Sequence, residues 1–375
     1  MLNLQRVKSF IKGNVVFCIA LFAALLTMLW VPPSIEYKEY FDFKTLTCLF
    51  CTLAVVCALR NINFFKILAH KIVRVFHSIR SCILAIVYIT FIGSMLIAND
   101  MALITFLPLG YFVLKETRNE KYMAFTFIMQ NIAANLGGML TPFGNPQNLY
   151  LYSHFNIPTI EFFEIMFLPF ILSVLGITIC CMFVKSEKLQ LPETSGDKLP
   201  LGKTVIYLLL FTLSIVIVFR LIPYWVGLIV IPVGILLFDR KALKDVDYGL
   251  LLTFCAFFVF SNNMSRIPAV NDLLSSIVNI NPLLVGVTSC QFISNVPSAI
   301  LLSQFTENYR QLLVAVNIGG AGTLIASLAS LITFKEYVKV NPEGSKSYLK
   351  LFSWFNFGFV ITLTIIMSLV FIYAL

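Results

Sequence analysis

The sequence predicts an all-α polytopic membrane protein made of two inverted-topology halves, each with a re-entrant hairpin and a discontinuous helix. Three observations predict it. Of 375 residues, 59% are hydrophobic and 12% charged, against the ~45–50% and ~25% usual in soluble domains. Apolar runs of roughly 17–25 residues, the length that crosses a hydrocarbon core as a helix, recur along the chain, and mean hydropathy is +0.90. A polar, glycine-rich motif near the middle of the first half recurs at a constant offset in the second.

The elements follow in order. Arg6, Lys8 and Lys12 precede an apolar stretch over 15–31. It reads as a retained first span: it is long for the apolar core of a signal peptide, and no small-residue cleavage site precedes Pro32 and Pro33. Further spans are expected at 42–59, 122–150, 160–184, 204–221, 224–238, 247–262, 309–334 and 351–374. Two more apolar segments, 81–114 and 280–308, enter and leave on the same side if Lys and Arg are to collect on the cytoplasmic face. With the N-terminus inside, that arrangement leaves only Lys38, Lys44, Arg220, Arg266 and Arg310 of the 27 basic residues outside. The net charge of +9 is thus accounted for by orientation in a bilayer. Nucleic-acid binding is not expected, because the 36 Phe lie inside apolar runs and are not interleaved with a basic face in water.

Over 64–80, Lys66, His70, Lys71, Arg74, His77 and Arg80 alternate at helical spacing with Phe65, Ile67, Leu68, Ile72, Val73 and Phe76, which predicts an amphipathic arm at the interface with both histidines solvated. The nine cysteines sit mostly in apolar runs and read as small hydrophobes; Cys48 and Cys51, though i,i+3, lack partners for a metal site. The polar stretch 185–203, with Pro192, Gly196 and Pro200, reads as a cytoplasmic linker. The chain then divides into a first inverted repeat (1–184), the linker, a connecting span (204–221) and a second inverted repeat (222–375).

The segment from Asn135 to Thr141, Asn-Leu-Gly-Gly-Met-Leu-Thr, aligns without gaps on Asn317 to Thr323, Asn-Ile-Gly-Gly-Ala-Gly-Thr; the register continues with Gly144 on Ala326, Asn145 on Ser327 and Asn148 on Ser330, always 182 positions apart. Upstream of each lies a hairpin centred on an asparagine, Ala98-Asn99-Asp100 and Ser294-Asn295-Val296. Oppositely oriented similar units are the architecture of secondary transporters. The run from Thr141 through Pro142, Gly144, Asn145, Pro146, Gln147 and Asn148 cannot stay helical, since two prolines remove backbone donors and Gly144 permits conformations that other residues resist. Non-helical backbone at membrane depth is tolerated only in protein or beside a watery cavity. Half-helix N-termini there suit an anion; carbonyls and the amides of Asn99, Asn145 and Asn148 suit a cation. Asn, Gly and Thr also serve plain helix packing in membranes, which competes as an explanation for Gly137, Gly138, Gly319 and Gly320.

The candidate substrate- and ion-binding residues are therefore Asn99, Asp100, Asn135, Thr141, Gly144, Asn145, Gln147, Asn148, Ser294, Asn295, Asn317, Thr323, Ser327 and Ser330, with Na⁺ expected at Asn99, Asp100 and Asn145. Asp100 is the one charge between Ser81 and Leu114, and an intramembrane carboxylate is functional by default. It binds Na⁺, carries a coupling proton or caps the second hairpin helix. The second half has Val296 in its place, so its role is asymmetric. No Gly-x-Ser-x-Gly, His-Glu-x-x-His or phosphate-binding glycine loop is present, which disfavours an enzyme, and no cofactor is expected beyond the coupling ion.

These motifs resemble the ion transporter superfamily, specifically the short bacterial citrate-transporter-like anion permeases related to arsenite permeases and sodium/proton antiporters. The resemblance runs from about residue 14 onward and rests on Ala98 to Leu103, Thr141 to Asn148, Ile293 to Ser298 and Val316 to Gly320. It implies an elevator mechanism, often in a homodimer, with 65–80 as the arm between a transport domain and a scaffold. It further implies a small carboxylate or inorganic oxyanion as substrate, coupled to Na⁺ or H⁺, and a bacterial inner-membrane location. Sodium-coupled dicarboxylate carriers of this group have Ser-Asn-Thr at both hairpin tips; this chain departs from that at each. The alternative is a sodium/proton antiporter or an arsenite-type permease using Asp100.

Overall fold

The computed structural model describes residues 14–73, 75–188 and 199–373, and among these the regular structure is helical, with one isolated bridge between Ser78 and Lys188. Arg6, Lys8, Lys12, Arg74, Lys198, Pro192 and Gly196 lie outside the described residues.

The first half contains α1 (Val15–Thr27), α2 (Phe43–Asn61), α3 (Phe64–Val73), the hairpin α4 (Ile79–Ile97) and α5 (Asn99–Glu116), the broken pair α6 (Met123–Gly137) and α7 (Pro146–His154), and α8 (Thr159–Met182). Then come α9 (Leu201–Val218), α10 (Tyr224–Phe238), the short α11 (Arg240–Lys244), α12 (Tyr248–Arg266) and α13 (Pro268–Ile280). The second hairpin is α14 (Pro282–Ile293) and α15 (Asn295–Leu302), the second broken pair α16 (Tyr309–Gly319) and α17 (Leu328–Val340), and α18 (Ser345–Tyr373) closes the fold. Five helices, α2, α4, α8, α9 and α18, are each long and apolar enough to cross a membrane. This is a multi-pass membrane protein. α2 is enclosed, with 72% of its apolar window buried, whereas α8 has 28% and turns Phe167, Leu175 and Ile179 outward, as a lipid-facing helix does.

Several boundaries differ from the expectation. The first span helix ends at Thr27, followed by turns. The arm helix spans Phe64–Val73, and Ser78, accepting from Ser81 N, starts α4; His77 and Arg80 are therefore not on the arm helix, and Arg80 Nε donates to Val184 O. A helix absent from the sequence reading, α13, precedes the second hairpin and meets α14 at 116°. Asn281 makes that bend by capping Leu284 N ahead of Pro282. The span expected at 309–334 runs on to Val340 after its break.

The two halves pack crosswise. α7 lies against α15 and α16 of the other half, and α17 lies against α5 and α6. Each hairpin's first helix packs on the first half-helix of its own half, α4 on α6 and α14 on α16. The glycines ending those half-helices permit this: a Cβ on Gly137 would sit 2.4 Å from Phe91 O, and one on Gly319 2.8 Å from Cys290 Cβ. Packing is thus the role of these two. Around this block, α2 packs with α9, α10 and α11, α1 packs with α12, and α2 and α12 touch it through α7 and α15.

Ion pairs join residues that the charge count puts on the same side. Lys121 pairs with Glu187, Arg310 with Glu161 and Arg266 with Glu36. The Ser78–Lys188 bridge and the Asn61–Asp239 hydrogen bond obey the same division.

Candidate functional site

The site is built from two hairpin tips and two helix breaks. Each tip is a single residue between two helices, and that residue carries a backbone conformation that L side chains rarely adopt: Ala98 at φ 65°, ψ 152° and Ser294 at φ 77°, ψ 158°. The following asparagine turns its Oδ1 onto the next backbone N–H, Asn99 onto Asp100 N and Asn295 onto Val296 N, both at 2.9 Å. This supplies a helix-start acceptor that Ala98 cannot offer. The N-cap position of α5 is Ala98, which makes no side-chain cap bond, and the Asn99 amide holds the Asp100 N–H instead. Asp100 lies in the first turn of α5 with Oδ1 buried and without a hydrogen-bond partner among the described residues.

The breaks correspond residue for residue. α6 ends at Gly137 and α7 starts at Pro146; 182 positions on, α16 ends at Gly319 and α17 starts at Leu328. Asn145 and Ser327 are the N-caps, both extended, at φ −132° and −150°. Each break is tied to its own hairpin by the same bond: Thr141 Oγ1 donates to Met95 O at 2.8 Å, and Thr323 Oγ1 to Gln291 O at 3.0 Å. Asn295 N and Ser294 Oγ both reach Ala326 O, at 2.9 and 3.2 Å. Ser327 and Ser330 are buried and bonded to one another at 3.0 Å, so they close the start of α17.

Gly144 is required for a reason other than the one expected. Its φ is not positive; rather, a Cβ there would lie 2.3 Å from Gly138 O. Gly138 in turn leaves room for Asn145 Oδ1, which would meet a Cβ at 2.3 Å. This close approach folds the first break tightly enough for Asn148 Nδ2 to reach the carbonyls of Gly138, Met139 and Thr141 at 3.1–3.2 Å. Carbonyls of the break just past α6 are thereby satisfied.

The first break also crosses into the other half. Asn145 Nδ2 donates to Asn135 O at 3.2 Å and to Asn317 Oδ1 at 3.1 Å, Gln147 Nε2 reaches the same Oδ1 at 3.5 Å, and Asn317 Nδ2 donates to Asn148 Oδ1 at 2.6 Å. Asn135 accepts from Asn99 Nδ2 at 3.2 Å. All of these amides are buried, and Asn145 Oδ1 and Gln147 Oε1 have no hydrogen-bond partner among the described residues. With their nitrogens engaged, what these side chains still offer is acceptor oxygen, the donor type that hard cations take. Among the described residues no cluster of three His, Cys, Asp or Glu side chains occurs. The same break presents the N-terminus of α7, which favours negative charge.

Three residues of this neighbourhood were not singled out in the sequence. Asn131 and Asn356 are buried and bonded to each other at 3.2 Å; their polarity inside apolar helices was the available signal. Arg60, at the end of α2, places Nη1 3.6 Å from Met101 Sδ, one residue past Asp100. It lies far away in sequence, and only the fold brings a guanidinium near this tip.

Comparison with known proteins places the architecture. The family model described as citrate transporter matches residues 12–309. An uncharacterized transporter of Methanocaldococcus jannaschii is 32% identical over 312 residues, 83% of this chain and 86% of that protein. The inner membrane protein YbiR of Escherichia coli is 28% identical over 305 residues, 78% of this chain and 80% of its own. A silicon efflux transporter of Oryza sativa is 28% identical over 185 residues, 48% of this chain and 37% of its own length. The helical membrane fold, the paired breaks and the extent of the family match lead to one statement: this chain belongs to the citrate transporter family of membrane transporters.

Proposed function

We propose that the protein is a secondary active transporter of a small anion, a carboxylate or an inorganic oxyanion, coupled to Na⁺ or H⁺. The observation that carries this is the first break, where the N-terminus of α7 and the free oxygens Asn145 Oδ1 and Gln147 Oε1 lie side by side. The same break thus offers partial positive charge to an anion and acceptor oxygen to a cation. Binding both in one place makes each ligand raise the affinity for the other, which is the physical basis of symport.

The register-equivalent breaks, the matched tips and the crosswise packing support an inverted repeat and an elevator motion, with the hairpins and broken helices moving against a scaffold of α1, α2 and α9 to α12. The ion pairs support the relative sidedness of the loops, and the positive-inside count supports a cytoplasmic N-terminus. The likeness to an Escherichia coli inner membrane protein supports that location. A homodimer through the scaffold fits this scheme.

A second reading is favoured by Asp100, whose Oδ1 is buried without a partner: a sodium/proton antiporter or a permease for a neutral oxyacid. The likeness to a silicon efflux transporter supports the oxyacid form. The test is current recording on proteoliposomes while citrate, succinate, sulfate, phosphate or arsenite is added, with and without Na⁺ or pH gradients. Anion-dependent current supports the first reading. Signals from Na⁺ or pH jumps alone, lost in Asp100→Asn, would replace it with the second.

A further inference from the structure

Four side-chain amides form an unbroken hydrogen-bonded chain from the first hairpin tip to the last helix. Asp100 N donates to Asn99 Oδ1 at 2.9 Å, Asn99 Nδ2 to Asn135 Oδ1 at 3.2 Å, Asn135 Nδ2 to both Asn131 O and Asn131 Oδ1 at 3.0 and 3.3 Å, and Asn131 Nδ2 to Asn356 Oδ1 at 3.2 Å. Asn356 Nδ2 closes it on Phe352 O at 2.9 Å. The four side chains belong to residues at most 4% exposed. Both ends are backbone groups of fixed sense, a donor at Asp100 and an acceptor at Phe352. Every amide between them is therefore set in one orientation, accepting toward the tip and donating toward α18. Bonds in such a series polarise one another, so the end group depends on members it does not touch.

Among the described residues the second half has no such chain. Asn131 corresponds to Leu313, and Asn317 spends its oxygen on Asn145 and Gln147 and not on the hairpin tip. The two tips share one backbone conformation but are held differently, and only the first carries the carboxylate.

We propose that Asn131 and Asn356 are positioning residues of the first hairpin tip, fixing Asn99, and through it the start of α5 beside Asp100, from the last helix of the fold. Where this bears on transport it rests on the proposed function, but the chain itself is testable without any ligand. Hydrogen–deuterium exchange of the purified protein is compared at the peptide covering 97–104 and the peptide covering 293–300. In Asn356→Leu, which removes the terminal acceptor at similar volume, the first peptide exchanges about tenfold faster while the second is unchanged. Asn356→Asp, which keeps an oxygen at that place, restores protection. If the leucine variant does not purify folded, Asn356→Ser replaces it in the same comparison. Wild-type protection of 97–104, or equal loosening of both tips, overturns the proposal.

A second arm uses an anion that the wild-type protein carries in proteoliposomes. Asn356→Leu raises its half-saturating concentration about tenfold, and adding Asn356→Leu to Asn99→Ser raises it no further, because both act through Asn99. Additive effects overturn the proposal. If wild-type protein carries no anion, the functional reading fails, and the exchange experiment still decides the positioning role.

Discussion

Asn145, the N-cap of α7, donates its side-chain amide to Asn317 of the other half at 3.1 Å. The two residues are 172 positions apart and stand at non-equivalent places of the two repeats, Asn145 at the start of a half-helix and Asn317 near the end of one. The contact therefore joins the break of one half to the helix entering the break of the other. Asn317 returns the link by donating to Asn148, so three side-chain amides tie α7 to α16.

The tightness of the first break is testable with glycine. Gly138→Ala and Gly144→Ala each place a Cβ 2.3 Å from an oxygen of the break, too close to be absorbed without opening it. Either variant is expected to lose most transport, or to melt clearly below wild type. Gly202→Ala and Gly358→Ala, whose Cβ meets nothing within 4 Å, serve as controls and are expected to behave as wild type.

Asp100→Asn removes the charge while keeping the size. Because α5 has no side-chain cap bond and Asp100 Oδ1 has no hydrogen-bond partner among the described residues, the variant is expected to fold and melt within a few degrees of wild type and to lose dependence on the Na⁺ or H⁺ gradient. Wild-type coupling in the variant would show that the carboxylate serves neither ion.

The hairpin tips store backbone strain. A residue with a side chain at such φ, ψ values costs on the order of 1–3 kcal/mol, so Ala98→Gly is expected to raise the thermal melting temperature. Ser294→Gly is expected to raise it less, because it gives up the hydroxyl bond to Ala326 O. A lower melting temperature for Ala98→Gly would show that the tip is not strained.

Arg220 fastens the C-terminal end of α7. Its guanidinium lies 4.0 Å over the Tyr152 ring and donates to the Tyr152 and Ile157 carbonyls. Arg220→Ala is expected to lower the melting temperature, and Arg220→Lys not to restore it, since an ammonium cannot stack and fork in the same way. Full rescue by lysine would reduce this contact to charge alone.

Much of this was legible in the sequence because the signals were chemical. Pro142, Gly144 and Pro146 together forbid a continuous helix, and the 182-residue register placed the second break where α16 and α17 separate. What was not legible depends on geometry. Nothing in the residue type of Ala98 or Ser294 announces a positive φ; it arises because one residue must reverse the chain between two helices. Gly144 was expected for its conformational freedom, whereas its use is a close approach visible only once Gly138 is placed. α13 was missed because its apolar residues line only part of the helix, which resembles a loop between spans. Asn131 and Asn356 were passed over because a lone asparagine in an apolar run gives no hint of its partner, here 225 positions away.

The central claim is that the two breaks form one site, and the most direct measurement is the half-saturating anion concentration in proteoliposomes for wild type, Asn145→Ala, Asn317→Ala and the double variant. The expected result is a rise of about tenfold in each single variant, near the ~1.4 kcal/mol of one well-made buried hydrogen bond, and a double variant well short of the product of the two. Fully multiplicative effects, or a loss from only one of the two, would contradict a shared site.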